Sequence, residues 1–224
     1  MPTMLFTLIV GALAVSPTPL RCEAPIAPSV VVAAADSALQ ALYSSGQSFE
    51  VFLEQARARR AMWIKNWEGG VVPADALARA RAIPGRWRLV VVAVDSCSDS
   101  VNTIPYLARL VSLVPGLEMR IVTPAAGKRF MELHRTPDGR AATPTVLVLD
   151  ADGRDVGCWI ERPSVLQQLV IDARAAGKED EFLKGKQSWY DTDSGASTIR
   201  EVVAVIEGAA SGKPVCAAKG APGR

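Results

Sequence analysis

Histidine is almost missing from this chain. Its 224 residues hold one, His134, beside four cysteines at positions 22, 97, 158 and 216. None of the cysteines forms a C-x-x-C pair, so a Cys/His zinc site lacks its ligand pattern and no metal or organic cofactor is implied. Their wide spacing imposes no disulfide framework either. Charge of one sign is also lacking. Twenty-five Lys and Arg oppose 23 Asp and Glu, for a net charge of +2, and the two signs are interspersed. That gives no footprint for nucleic acid. The densest basic run, Arg57, Arg59 and Arg60, falls on an expected helix and reads as a solvated face. The longest apolar run, Met4 to Val15, has 12 residues, too few to cross a bilayer.

What is present is a full apolar complement. Hydrophobic residues make up 49% of the chain, enough for a core that does not need disulfides. The length suits one domain with extensions. Residues 1–16 read as a signal peptide, with small residues for cleavage at Ala14-Val15-Ser16, although no Lys or Arg precedes the apolar run. A buried N-terminal strand and a misassigned start are the alternatives. Arg21 before Cys22 is the wrong neighbour for lipid attachment. The expected location is periplasmic or secreted, with the cytoplasm as the alternative and no stable membrane insertion once the signal is removed. Residues 17–35, rich in proline, read as a linker.

From Asp36 the pattern turns helical. An N-terminal helical extension is expected over 36–85, with one amphipathic helix from Phe49 to Trp67 and a short one after Pro73. A core over 86–177 follows. Its apolar strand at 87–94 runs into Cys97 and then a helix to about Val114, within which Pro105 should produce a kink. A strand at 117–122 after a single helix points to a parallel β-α-β unit. Next come a helix at 126–133, a strand at 145–149, a turn at Asp150 to Gly153, a returning strand to Ile160 and a helix from Pro163. Residues 178–210 form a C-terminal helical extension, and 211–224 a flexible tail.

Cys97 therefore sits where a buried strand hands over to a helix. The helix start offers unpaired N–H groups and the positive end of a dipole, which favour the reactive thiolate. Ser98 and Ser100 could donate hydrogen bonds to it. Asp95 and Asp99 work against it unless they are screened by solvent. A modestly reactive thiol is the net expectation.

Cys97 at a strand-to-helix junction, Ala142-Thr143-Pro144-Thr145 before a strand, and this element order together resemble the thioredoxin-like superfamily. Thr103 to Leu107, Glu118 to Arg120, Thr145 to Asp150, Trp159 and Arg162-Pro163 are similar to an uncharacterised bacterial branch with a D-W-C-G-D-C/A type motif. The resemblance implies an α/β thioredoxin-like three-layer sandwich, a central mixed β-sheet flanked by helices. It implies Cys97 as nucleophile, Ser100 in the resolving position, and Ser96, Ser98, Thr143 and Pro144 around the substrate, with a cis bond before Pro144. Asp99 is grouped with Cys97 and Ser100 as catalytic. The chain departs from the pattern in having Ser96 for the usual Trp and Ser100 for the second Cys. It is thus a monothiol C-x-x-S site, suited to exchange through a mixed disulfide with protein or low-molecular-weight thiols and disulfides. The alternative is a redox-silent binding or structural module. Cys158 reads either as a half-buried thiol or as a disulfide partner of Cys216. Oligomeric state is open.

Overall fold

The computed structural model describes residues 29–213 and 215–216, with side chains described for 37–213. The expected signal peptide, Cys22 and the end of the tail lie outside the described residues. The elements run α1 (Ser29–Ser45), α2 (Phe49–Gln55), α3 (Arg60–Glu68), α4 (Ala74–Ala82), β1 (Trp87–Val92), α5 (Ser98–Leu113), β2 (Leu117–Val122), α6 (Pro124–Leu133), β3 (Thr145–Leu149), β4 (Asp155–Ile160), α7 (Ser164–Ala175), α8 (Glu179–Asp193), α9 (Ala196–Ala210) and β5 (Val215–Cys216).

The sheet has the order β2-β1-β3-β4-β5. β1 runs parallel to β2 and antiparallel to β3; β3 and β4 form an antiparallel hairpin. The period-two alternation of strand side chains divides the core into two layers. Leu89, Val91, Val146, Val148 and Trp159 face a cluster built with α2, α3, α4, α5 and α9. Val90, Val92, Leu147, Leu149 and Ile160 face a second cluster with α1 and α6. This is the α/β thioredoxin-like sandwich expected from the sequence, helices lying on both faces of a mixed sheet.

Three expectations give way to tertiary structure. The helix foreseen over 49–67 breaks at Ala56–Arg59, where Arg59 takes a left-handed conformation at φ 53°. The break frees the N–H groups of Arg57 and Ala58, and both donate to the Asp95 carboxylate. As expected, α5 runs through Pro105, to Leu113. Proline removes the bond its own N–H would give to the carbonyl of Val101. That carbonyl instead accepts from Asn66 Nδ2 of α3 at 2.8 Å. Residues 29–35, expected as linker, belong to α1; the run Val30 to Ala35 holds no Gly or Pro to stop a helix. The tail beyond 211 contributes β5, parallel to β4 with Cys216 beside Cys158 in the ladder.

The turn from α8 to α9 fixes the C-terminal extension. Gly195 has φ +76°, and a Cβ there would lie 2.1 Å from Tyr106 Cγ of α5. Gly195→Ala should therefore cost about 2–4 kcal/mol, from backbone strain and overpacking together. Urea denaturation reads it as a lower midpoint. A loss below about 0.5 kcal/mol, the scale of an ordinary surface change, would mean that α9 does not sit this tightly on α5.

Candidate functional site

β1 ends at Val92, and the chain turns through Asp95 and Ser96 into α5. Cys97 is the N-cap of that helix. Its Sγ accepts from Ser100 N at 3.4 Å, the bond a capping side chain normally makes to the third residue. The thiol is partly exposed. It donates in turn to the carbonyl of Thr143 at 3.2 Å. The Thr143–Pro144 bond is cis, as the sequence reading expected. The Pro144 carbonyl accepts from Glu161 N at 2.7 Å, so the end of β4 holds the loop from the other side. Two segments 46 residues apart in sequence thus meet at one sulfur.

The neighbouring side chains are not all where the sequence reading puts them. Ser96 is exposed, and its carbonyl accepts from Arg59 Nε at 2.9 Å. Ser98 Oγ accepts from Lys186 Nζ at 3.1 Å. Ser100 is completely buried, and its hydroxyl has no hydrogen-bond partner among the described residues. The expected donation from the Ser100 hydroxyl to the thiolate is therefore replaced by donation from its backbone. Asp95 points away, toward the break between α2 and α3. Hydrogen bonds from the backbone of Arg57 and Ala58 hold its carboxyl below the usual range.

Asp99 is the largest correction. It is neither solvent-screened nor within reach of a substrate; it is 5% exposed. Its Oδ1 accepts from Lys186 Nζ at 2.8 Å and from the Tyr190 hydroxyl at 2.6 Å, both on α8. Its Oδ2 accepts from Arg162 Nη2 at 3.2 Å. Arg162 also pairs with Glu161, which pairs with Arg140 at 2.8 Å. Arg140 and Arg174 share Asp138, and Arg174 meets Glu179 at the start of α8. Charges of alternating sign therefore connect the first turn of α5 to Glu161, whose N–H holds the Pro144 carbonyl, and back to α8. Burial first, and then the charge of Asp99, pushes the Tyr190 phenol well above its ordinary range, so it remains a donor. Asp99 is a positioning residue.

Lys186 and Tyr190 escaped the sequence reading. Their only signal was a spacing of four, one face of a weakly patterned helix. The single histidine, His134, shares a 2.7 Å hydrogen bond between its Nε2 and the Asp155 carboxylate, at the end of β4 remote from Pro144. Asp150 closes its hairpin turn by accepting from the backbone of Asp152 and Arg154. Among the described residues no three His, Cys, Asp or Glu side chains converge as metal ligands do. Cys158 is fully buried in β4 and disulfide-bonded; the side chain of Cys216 lies outside the described residues.

Residues 46–175 match the family model Thioredoxin_9, described as thioredoxin. The chain belongs to that family. It is also similar in structure to a protein of unknown function from Pseudomonas aeruginosa, with 26% identity, a TM-score of 0.57, and 75% of this chain and 96% of the other covered. A crystallised HIV epitope-scaffold protein matches with 24% identity, a TM-score of 0.57 and coverages of 75% and 97%. The second likeness speaks to the fold alone. No functionally curated protein matches. The family region ends at residue 175, so Lys186 and Tyr190, which hold Asp99, come from beyond it.

Asp99→Ala should destabilise the protein by about 3–5 kcal/mol, because Lys186 would be left buried without its counter-ion and Arg162 would keep only Glu161. Asp99→Asn, which keeps an acceptor, should cost less. Equal and small losses in both variants, read from urea midpoints, would show that the ion cluster does not join α8 to α5.

Proposed function

We propose that this protein carries out thiol–disulfide exchange through a mixed disulfide on Cys97. The observation that carries the reading is the position of Sγ: capping a helix N-terminus, partly exposed, and 3.2 Å from the carbonyl that precedes the cis-proline. The Cys97 thiolate attacks one sulfur of a disulfide, forming a Cys97–S–S–R bond while the second sulfur leaves as a thiolate and takes a proton. Ser100 has no sulfur to displace the bound group. Cys158 is disulfide-bonded and buried, so it does not supply one. An incoming thiol from outside completes the cycle by attacking the mixed disulfide and regenerating Cys97. The cycle exchanges disulfides without net oxidation of the protein, as isomerisation and the removal of small thiol caps require. The partners are protein or low-molecular-weight thiols and disulfides. Membership of the thioredoxin family supports this role for Cys97.

Loading the protein with a disulfide-bearing lysate should yield mixed disulfides that vanish in Cys97→Ser and on reduction. No trapping by the wild type would leave a thioredoxin-fold binding or structural module, the other reading open to this site.

Cys158 pairs with Cys216 in this proposal, since their backbones are neighbours across β4 and β5. The bond would fasten the C-terminal strand and suits an exported protein, periplasmic or secreted. Peptide mapping without reduction should recover a Cys158–Cys216 linked pair; a Cys22–Cys158 pair would contradict it.

A further inference from the structure

The structure places a strongly basic groove beside the thiol. Its walls are Arg57, Arg59, Arg60 and Lys65, with Ala61 and Met62 as floor: four cations and no carboxylate around an open volume of about 600 Å³. It is joined to the reactive loop, because Arg59 Nε donates to the carbonyl of Ser96, the residue before Cys97. The nearby acidic groups only partly offset it. The Asp95 carboxylate, held on the N–H groups of Arg57 and Ala58, keeps its charge and opposes one of the four cations. Asp99 is buried among its own counter-ions. Asp191 meets Lys65 only at 3.6 Å, with both side chains largely exposed. Arg60 spends part of its guanidinium on carbonyls at the end of α2, among them Glu54 at 3.2 Å, which fixes its direction and leaves its charge in place. In sequence these residues read as a solvated helix face. The break between α2 and α3 places Arg59 where its guanidinium reaches the Ser96 carbonyl beside Cys97.

We infer that the groove receives the acidic flank of a cysteine-containing polypeptide, so that the exchange at Cys97 favours disulfides set among Asp and Glu. The inference rests on the proposed exchange reaction. A groove this open encloses no small molecule, whose pocket normally covers most of its surface. It suits an extended chain crossing from α3 to the Thr143–Pro144 loop. Opposite charge would steer that chain in and raise the encounter rate, and salt would weaken the effect.

Three short peptides test this, each with one central cysteine joined to 2-mercaptoethanol as a disulfide and flanked by Glu, Ser or Lys. Mass spectrometry follows transfer of the peptide to Cys97. The Glu peptide should react about tenfold faster than the Lys peptide at low salt, within the range of electrostatic steering. The ratio should fall toward one in the double variant Arg57→Glu, Lys65→Glu. It should persist in the double variant Lys128→Glu, Arg129→Glu, which makes the same change of charge on α6 at the opposite face of the sheet. Equal rates for the Glu and Lys peptides would overturn the inference. A small disulfide with two carboxylates showing the same advantage as the Glu peptide would overturn the polypeptide assignment. Failure of the Ser peptide to react would count against exchange itself. The groove is then read independently, by fluorescence anisotropy of Cys97→Ser with peptides carrying Ser for Cys. Tighter binding of the Glu peptide supports the groove, and equal binding refutes it.

Discussion

A negative charge is buried one residue beyond the serine that follows the Cys97 thiol, and the surrounding structure answers it. Asp99 lies in the first turn of α5, where the helix dipole favours an anion. The dipole alone does not compensate a carboxylate removed from water. Lys186 and Tyr190 on α8 and Arg162 after β4 complete the compensation. Such a cluster adds little stability relative to an apolar core of the same shape. What it adds is position. α8 is tied to the start of α5, and Arg162 and Glu161 tie that start to the strand end that carries Pro144 through the Glu161 N–H.

The reactive site follows from this arrangement. A helix N-terminus presents N–H groups without partners, and Cys97 meets one of them with its own sulfur. The Thr143 carbonyl holds the same sulfur from the other side. Ser100, fully buried below, is filler in this frame rather than a second reactive group. The chain has a cysteine at the helix start and a serine, Ser100, three residues on. In the proposed exchange, release of a mixed disulfide would depend on the partner, which would give the surface around Cys97, including the basic groove of α3, more weight in choosing what reacts.

Local signals were legible in the sequence. The apolar run into β1, the handover at Cys97, the Thr143–Pro144 step before β3 and the hairpin around Asp150 are each set by residues close together in the chain. The apolar runs of β1 and β3 fit strands buried on both faces, one core layer on each. What was not legible depends on distant partners. The division of residues 49–67 into α2 and α3 is fixed by Asp95, 37 or 38 residues further on. The partner of the Val101 carbonyl that Pro105 leaves free is Asn66, on another helix. The burial of Asp99 depends on α8, whose polar sequence gave no sign that Lys186 and Tyr190 face inward. Each is a case where one buried polar group selects its environment across the fold, a choice that periodicity does not record.

The account turns on Cys97 being an accessible nucleophile in the folded protein. Alkylation with iodoacetamide under native conditions, followed by peptide mapping, addresses that directly. Cys97 should take the label at a rate comparable to a free exposed thiol while the protein stays folded, and addition of denaturant should not be required. Labelling of Cys97 only after unfolding would contradict the account and leave the thioredoxin frame without a working thiol.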